Sequence, residues 1–314
     1  MDRNLALEFV RVTEAAAISA SMWAGKGDSH AADGAAVKAM RDRMKYIEMD
    51  GTVVIGEGER DEAPMLFIGE KVGSGKGPQV DIAVDPLEGT GVTARGGENA
   101  LSVLAAAPKG MLLNAPDTYM DKIAVGPAVG GKVSLANTVA DNLQIIATAT
   151  DKPVNELSIV ILDRDRHKQL IEHVRKAGAR IKLIGDGDVS GAIASAMPGA
   201  NVDALFGTGG APEGVLAAAA MKCLGGYIEG RLAFRNDGER KRAIDYGLSD
   251  PDKILKLDDL AGGNESMFVA TGVTDGTFLK GVAFEPHGMI RTHSVVMRAK
   301  TGTVRYIEAI HRSH

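Results

Sequence analysis

SIVIL at 158–162, HKQLIEHVRK at 167–176, IKLI at 181–184, VSGAIASAM at 189–197, DALF at 203–206 and VLAAAAMKCL at 215–224 follow one another in the second half of the chain. Apolar runs of strand length alternate with segments of helical spacing, and Gly178 stops the first of those helices. This β-α-β-α-β-α order predicts a parallel sheet with crossover helices. Toward the N-terminus the alternation is looser. Residues 4–23 and 33–47 read as helices, the second with Val37, Met40, Met44 and Ile47 at helical spacing, and 52–55, 80–85, 101–107 and 123–125 read as strands. Toward the C-terminus, 236–263 is polar and irregular before strands return at 267–270, 294–298 and 304–307. The change of pattern after the polar stretch 150–156 divides the chain into 1–150 and 151–314. The expectation is an α/β fold in two parts.

The 314 residues include 39 glycines, while aromatics supply 4% and hydrophobic residues 45%. That apolar share excludes wholesale disorder, and the glycines show no Gly-X-Y period. Small side chains must fill the core, which favours close packing of helices on a sheet. Cys223 is the single cysteine, so it forms no internal disulfide or zinc cluster; it reads as a small buried hydrophobe and suits a reducing, cytoplasmic compartment. Asp2, Glu8, Arg11 and Glu14 interrupt any signal-peptide core, and no apolar stretch reaches the ~18 residues of a membrane helix. A net charge of −5 without a basic stripe argues against a nucleic-acid partner.

Open α/β sheets bind ligands at the carboxyl ends of their strands, and four such ends carry unusual residues. In Asp85-Pro86-Leu87-Glu88-Gly89-Thr90, Asp85 closes a strand. The three-residue spacing lets Asp85 and Glu88 share one side, an all-oxygen environment suited to Mg2+ or Mn2+. Gly89 and Thr90 follow with backbone N–H groups for a phosphate. A capped turn accounts for the same residues equally well. Gly56-Glu57-Gly58-Glu59-Arg60-Asp61-Glu62 gathers four carboxylates after an apolar run; cations or solvent must screen them, and a solvated loop is the plainer reading. GTGGAPEG at 207–214 reads as a glycine loop entering an alanine-rich helix, with Glu213 a metal ligand or an acid favoured by the helix dipole. Arg164 and Arg166 suit a phosphate, with surface pairing to Asp163 and Asp165 as the competitor. Asp186-Gly187-Asp188, after the next strand, suits sugar hydroxyls.

Two other motifs fail on inspection. GSGKG at 73–77 suggests a P-loop, but the required first glycine falls on Glu70, no Ser or Thr follows Lys76, and a strand comes next. GDGDVSG at 185–191 has the spacing of a relaxed dinucleotide fingerprint, but its two aspartates would repel a pyrophosphate. A nicotinamide-binding oxidoreductase stays as the remote alternative.

Taken together, Asp33-Gly34-Ala35-Ala36, GTVVIGEGERDEAPMLFIG at 51–69, residues 80–90, NAPDTY at 114–119, GDGDV at 185–189 and GGAPEG at 209–214 resemble the class II fructose-1,6-bisphosphatases. These belong to the lithium-sensitive, metal-dependent phosphatases, whose D-P-[IL]-[DE]-G-T motif the hexamer 85–90 matches. The likeness runs to about residue 235 and returns in the last strands. It implies a layered α/β/α/β sandwich with the active site between two subdomains, 1–150 holding metals and 151–314 contacting the sugar and the remote phosphate. It implies removal of the 1-phosphate of fructose 1,6-bisphosphate, in gluconeogenesis, by a homodimer or homotetramer using Mg2+ or Mn2+.

Residue by residue, the resemblance makes Asp33, Glu57, Asp85, Glu88 and Glu213 metal ligands, with Glu213 also counted among the catalytic groups. Glu88, Gly89 and Thr90 contact the phosphate. Tyr119, Arg164, Asp165, Arg166, Asp186, Gly187, Asp188 and Gly210 contact the substrate. Asp61 and Thr90 stand where the attacking group is oriented or activated. Action on sedoheptulose 1,7-bisphosphate as well, or an inositol-monophosphatase-like preference, is the neighbouring alternative. Ser29 stands where the family often has lysine, which leaves Lys26 or His30 to supply that charge, and the region after Arg235 is short.

Overall fold

A computed structural model of the chain describes residues 5–58 and 64–312. α1 (Leu5–Ser21) and α2 (Ser29–Met44) precede β1 (Asp50–Ile55), β2 (Lys71–Val72), β3 (Gln79–Glu88), α3 (Thr90–Ala94) and β4 (Leu101–Pro108). Next come β5 (Tyr119–Val125), α4 (Val139–Thr150), β6 (Ser158–Leu162), α5 (Lys168–Lys176), β7 (Arg180–Ile184), α6 (Asp188–Ala196), β8 (Ala204–Gly210) and α7 (Ala211–Leu224). β9 (Tyr227–Ala233), α8 (Asp237–Asp245), β10 (Leu255–Lys256) and α9 (Leu257–Leu260) follow, and the tail adds β11 (Met267–Gly272), β12 (Ala283–Glu285), β13 (Met289–Arg298) and β14 (Thr303–Arg312). The result is mixed α/β, as the sequence predicts. No helix among the described residues is long and apolar enough to cross a membrane.

The chain divides into two compact units, Met1–Leu112 with Glu265–His314, and Leu113–Asn264. This division differs from the pattern change near residue 150. Strand pairing explains the difference: β5 lies antiparallel between β8 and β9, while β11 pairs along β4 and returns the tail to the first unit.

The first unit holds a sheet ordered β12-β13-β11-β4-β3-β1-β2, with β14 paired along β13. α1 and α2 pack on it, burying Phe9, Val12, Ala16, Val37, Met40 and Met44 against alternate sheet residues such as Val80, Ile82, Val84, Leu104 and Val269. Asp28 caps α2, its side chain accepting the Ala31 N–H at 2.9 Å. β3 does not stop at Asp85. It continues through Pro86 and Leu87 to Glu88, with Asp85 opposite Val103 and Glu88 opposite Leu101, so β3 carries one extra residue there. Such a bulge tolerates the missing N–H of Pro86.

The second sheet runs β10-β9-β5-β8-β6-β7. β8, β6 and β7 are parallel, as the β-α repeat predicts, whereas β5, β9 and β10 add antiparallel pairs. α4 and α5 bury Leu143, Ile146 and Val174 with Ile123, Ile159, Ile161 and Phe206 on one face. α6 packs on the other face, where Gly191 lies against Leu205 and Val160. α7 is buried almost all round, from Val215 to Met221, which calls for its small side chains. Cys223 is buried in it. The polar stretch 236–263 is not irregular: it holds α8, β10 and α9, and Asn236 caps α8 by accepting the Glu239 N–H at 3.0 Å.

Candidate active site

Asp33 lies in the second turn of α2, and Glu57 follows β1. The Glu57 N–H donates to the Leu66 carbonyl and the Gly58 carbonyl accepts the Ile68 N–H, both at 3.0 Å, which fixes the backbone at this strand end. Burial, with the nearby charge of Asp33, pushes the Glu57 carboxyl up to about 7. Burial also raises Asp33, against an opposing pull from His30. Lys26 sits over the Trp23 ring, 5.3 Å from its centroid. Asp61, with Glu59 and Glu62, lies outside the described residues.

Asp85 Oδ1 accepts the Leu87 N–H at 3.1 Å, and Glu88 is buried at the end of β3. Gly89 has φ 93°, a left-handed conformation that glycine adopts without a Cβ penalty, and Thr90 opens α3 immediately after it. The Gly89 carbonyl accepts both the N–H and the hydroxyl of Thr93, at 2.9 and 3.1 Å. Bonds of 2.9 Å from Gly25 N–H to the Thr93 carbonyl and from Gly27 N–H to the Ala94 carbonyl tie the α1–α2 connection to this short helix.

In the second unit, Tyr119 begins β5, with Gly210 of β8 on one side and Ala233 of β9 on the other. The Arg166 guanidinium lies 4.8 Å from the Tyr119 ring centroid and donates through Nε and Nη2 to the Thr208 carbonyl at 3.0 and 2.8 Å. The neighbouring His167 is buried. Its Nε2 accepts the Thr208 N–H at 2.8 Å, so its Nδ1 carries the proton and donates to the Leu162 carbonyl at 2.7 Å. Burial lowers the imidazole pKa. Arg164 is exposed and donates to the adjacent Asp163 carbonyl, and Asp165 pairs with Lys168 at 2.9 Å on the surface. The structure thus brings Arg166 to Tyr119 but leaves Arg164 and Asp165 apart from that contact.

GTGGAPEG does not form a loop. β8 runs to Gly210, and α7 starts at Ala211. Glu213, in the first turn of α7, is buried, and its Oε2 has no hydrogen-bond partner among the described residues. Asp186 Oδ1 accepts the Gly187 N–H at 3.1 Å, and the left-handed Gly187 (φ 87°) leads to Asp188, the buried first residue of α6. Asp188 forms an ion pair with Lys122 of β5, and Lys122 also donates to the Gly210 carbonyl at 2.7 Å. Burial and the Asp188 charge raise the Glu213 pKa, while Lys122 opposes them.

Sequence reasoning missed Lys122, Arg235 and Glu239. Arg235 lies 5.3 Å from the Tyr119 centroid, and the buried Glu239 binds its side chain, its N–H at 2.8 Å and the Thr118 hydroxyl at 2.5 Å. The available signals were a lysine directly before the apolar run Ile123–Val125 of β5 and a Glu four residues after an Arg.

No three of the described His, Cys, Asp and Glu residues form a preformed metal cluster. Taken unit by unit, the acids have the chemistry a hard divalent cation needs: in the first, burial and then the charge of Asp33 raise Glu57; in the second, Glu213 Oε2 is buried without a hydrogen-bond partner among the described residues; the donors are all oxygen. Mg2+ commonly takes one or two carboxylates and completes its shell with water and substrate phosphate.

Residues 3–311 match the family model described as bacterial fructose-1,6-bisphosphatase, glpX-encoded. The chain is 45% identical over 335 aligned residues to a protein of Trichodesmium erythraeum (strain IMS101) named D-fructose 1,6-bisphosphatase class 2/sedoheptulose 1,7-bisphosphatase, covering 99% of this chain and 97% of that one. Proteins of the same name from Synechococcus sp. (strain JA-3-3Ab) and Synechocystis sp. (strain ATCC 27184 / PCC 6803 / Kazusa) are 45% and 44% identical, covering 99% of this chain and 96% and 97% of theirs. With a match of this extent laid over the acids of the first unit and the charged cluster of the second, the chain belongs to the class II, glpX-type bacterial fructose-1,6-bisphosphatase family.

Proposed function

We propose that this chain hydrolyses the 1-phosphate of fructose 1,6-bisphosphate, giving fructose 6-phosphate and inorganic phosphate, and serves gluconeogenesis in the cytoplasm as a homodimer or homotetramer. The observation that carries the reading is the family match over residues 3–311, which includes every candidate site residue. Asp33, Glu57, Asp85, Glu88 and Glu213 would hold Mg2+ or Mn2+, which when bound neutralise the anionic ester and lower the pKa of a coordinated water. Glu88, Gly89 and Thr90 receive the phosphate that is cleaved. The Thr90 hydroxyl attacks or orients a water, Asp61 accepts the proton released, and the ester P–O bond breaks as the sugar O1 takes up a proton and leaves; where Thr90 itself attacks, a water then frees inorganic phosphate from it. Arg166 and Arg164 hold the remote phosphate, Arg166 with its plane fixed by the Tyr119 ring and the Thr208 carbonyl. Tyr119, Asp165, Asp186, Gly187, Asp188 and Gly210 orient the sugar.

The double name of the three relatives favours a second substrate, sedoheptulose 1,7-bisphosphate, which presents the same 1-phosphate on a sugar one carbon longer. Family membership leaves the dinucleotide reading of 185–191 without support. The test is phosphate release by the purified protein, with Mn2+ or Mg2+, from fructose 1,6-bisphosphate, sedoheptulose 1,7-bisphosphate and inositol 1-phosphate. Release from both bisphosphates supports dual action, and release from inositol 1-phosphate alone overturns the reading.

A further inference from the structure

Lys122 is only 3% exposed and lies on β5 opposite Gly207 of β8. Its ammonium pairs with Asp188 and donates to the Gly210 carbonyl at 2.7 Å, joining the start of α6 to the end of β8. The space around it is used up. A Cβ on Gly209 would lie 2.1 Å from Asp188 Oδ2 and 3.1 Å from Lys122 Nζ, and a Cβ on Gly210 would lie 1.9 Å from Glu213 Oε2. Gly209, Gly210 and Gly214 all lie outside the left-handed region, so these positions need the room of a glycine, not its torsional range. A buried ion pair is a poor device for stability, because apolar residues of similar volume often do as well or better. What such a pair supplies is a defined position for its carboxylate.

We infer that Lys122 is a positioning residue for substrate binding: one ammonium holds the Asp188 carboxylate and the Gly210 carbonyl in the arrangement that meets the sugar. Lys122 does not itself touch substrate. The inference rests on Asp188 and Gly210 being sugar contacts, as proposed above. It explains why a buried lysine stands beside the apolar residues Ile123–Val125 of β5, and why Gly209, which abuts both Asp188 and Lys122, has no side chain.

A double-mutant cycle tests it. Lys122→Met, Asp188→Asn and the double variant are compared for kcat, KM and the Kd of fructose 6-phosphate by calorimetry, each after circular dichroism and thermal melting. The expected result is a 10- to 100-fold loss in kcat/KM for Lys122→Met, carried mainly by KM, with product affinity falling in parallel. Asp188→Asn is expected to lose a similar factor, and the double variant no more than about threefold beyond the worse single. Lys122→Met within threefold of the parent, or losses that multiply in the double variant, overturns the inference. Should Lys122→Met fail to fold, the double variant, which carries no unpaired buried carboxylate at 188, is read against Asp188→Asn alone by the same threefold criterion. Parent-like activity in Asp188→Asn instead overturns the assignment of Asp188 as a sugar contact, a distinguishable failure.

Discussion

Asp33 and Glu57 of the first unit stand as like charges, with Glu57 pushed up to about 7. In the second unit, Asp188 and Glu213 share their buried surroundings with Lys122, which pairs with one and lowers the other. The difference lies in where the counter-charge comes from. The second unit carries it in the chain, on a strand of its own sheet, so its polar groups are arranged before any ligand arrives. In the first unit, burial and then the charge of Asp33 raise Glu57, with His30 the group that opposes the rise of Asp33. On the function proposed above, binding of the sugar and activation of the phosphate would fall to these two differently built sets of side chains.

The largest effect expected falls on the first unit. Thr90→Ala should lower kcat by a factor on the order of 10³ or more while leaving the circular dichroism spectrum unchanged; undiminished turnover would remove Thr90 from the chemistry. The charge comparison is broken or sharpened by two substitutions of opposite sign. Asp188→Asn leaves Lys122 buried without its partner and should destabilise the metal-free protein by about 3 kcal/mol or more. Glu57→Gln removes a repelling charge and should stabilise it by roughly 2 kcal/mol. Urea midpoints at pH 8 in a chelating buffer read both, and shifts of the same sign would dissolve the contrast.

Arg166→Ala should raise KM for fructose 1,6-bisphosphate by about ten- to thirtyfold with a smaller change in kcat, the mark of lost ground-state binding. A fall confined to kcat would move Arg166 out of the remote-phosphate site. The smallest effect concerns His167. Burial holds its folded pKa below 6.5, so the unfolded chain takes up a proton first as pH falls. The stability present above pH 6.5 should decline below it, by at most about 1.4 kcal/mol per pH unit from this group. His167→Gln should flatten that part of a denaturation series taken between pH 7.5 and 5.5.

Much of this was legible because it was local. The strand at 158–162 matches residue for residue, and the neighbouring elements fall within a few positions, since apolar period and flanking glycines act over a few residues. The return of β11 to β4 and the placing of β5 between β8 and β9 are not legible, because pairing across about 80 residues or more leaves no local pattern. The sequence alone puts the end of β3 before Pro86, because proline ordinarily interrupts a ladder, and the bulge that admits it is a property of the partner strand as well. The candidate acids announced themselves by type and spacing. Lys122 and Glu239 did not, because a buried charge reads as a surface one until its neighbours are known. GTGGAPEG read as a loop because glycine usually marks one, whereas here it clears space along a strand.

The bulge in β3 has a mechanical consequence. Asp85 and Glu88 are not carried on a free hinge but hang from rungs shared with Val103 and Leu101, both buried in β4. Any ligand that shifted these two acids would have to loosen that ladder, and hydrogen exchange at the amides of β4 would register it. Where exchange stays slow with ligand bound, the geometry offered to the phosphate is the one the sheet sets as it folds.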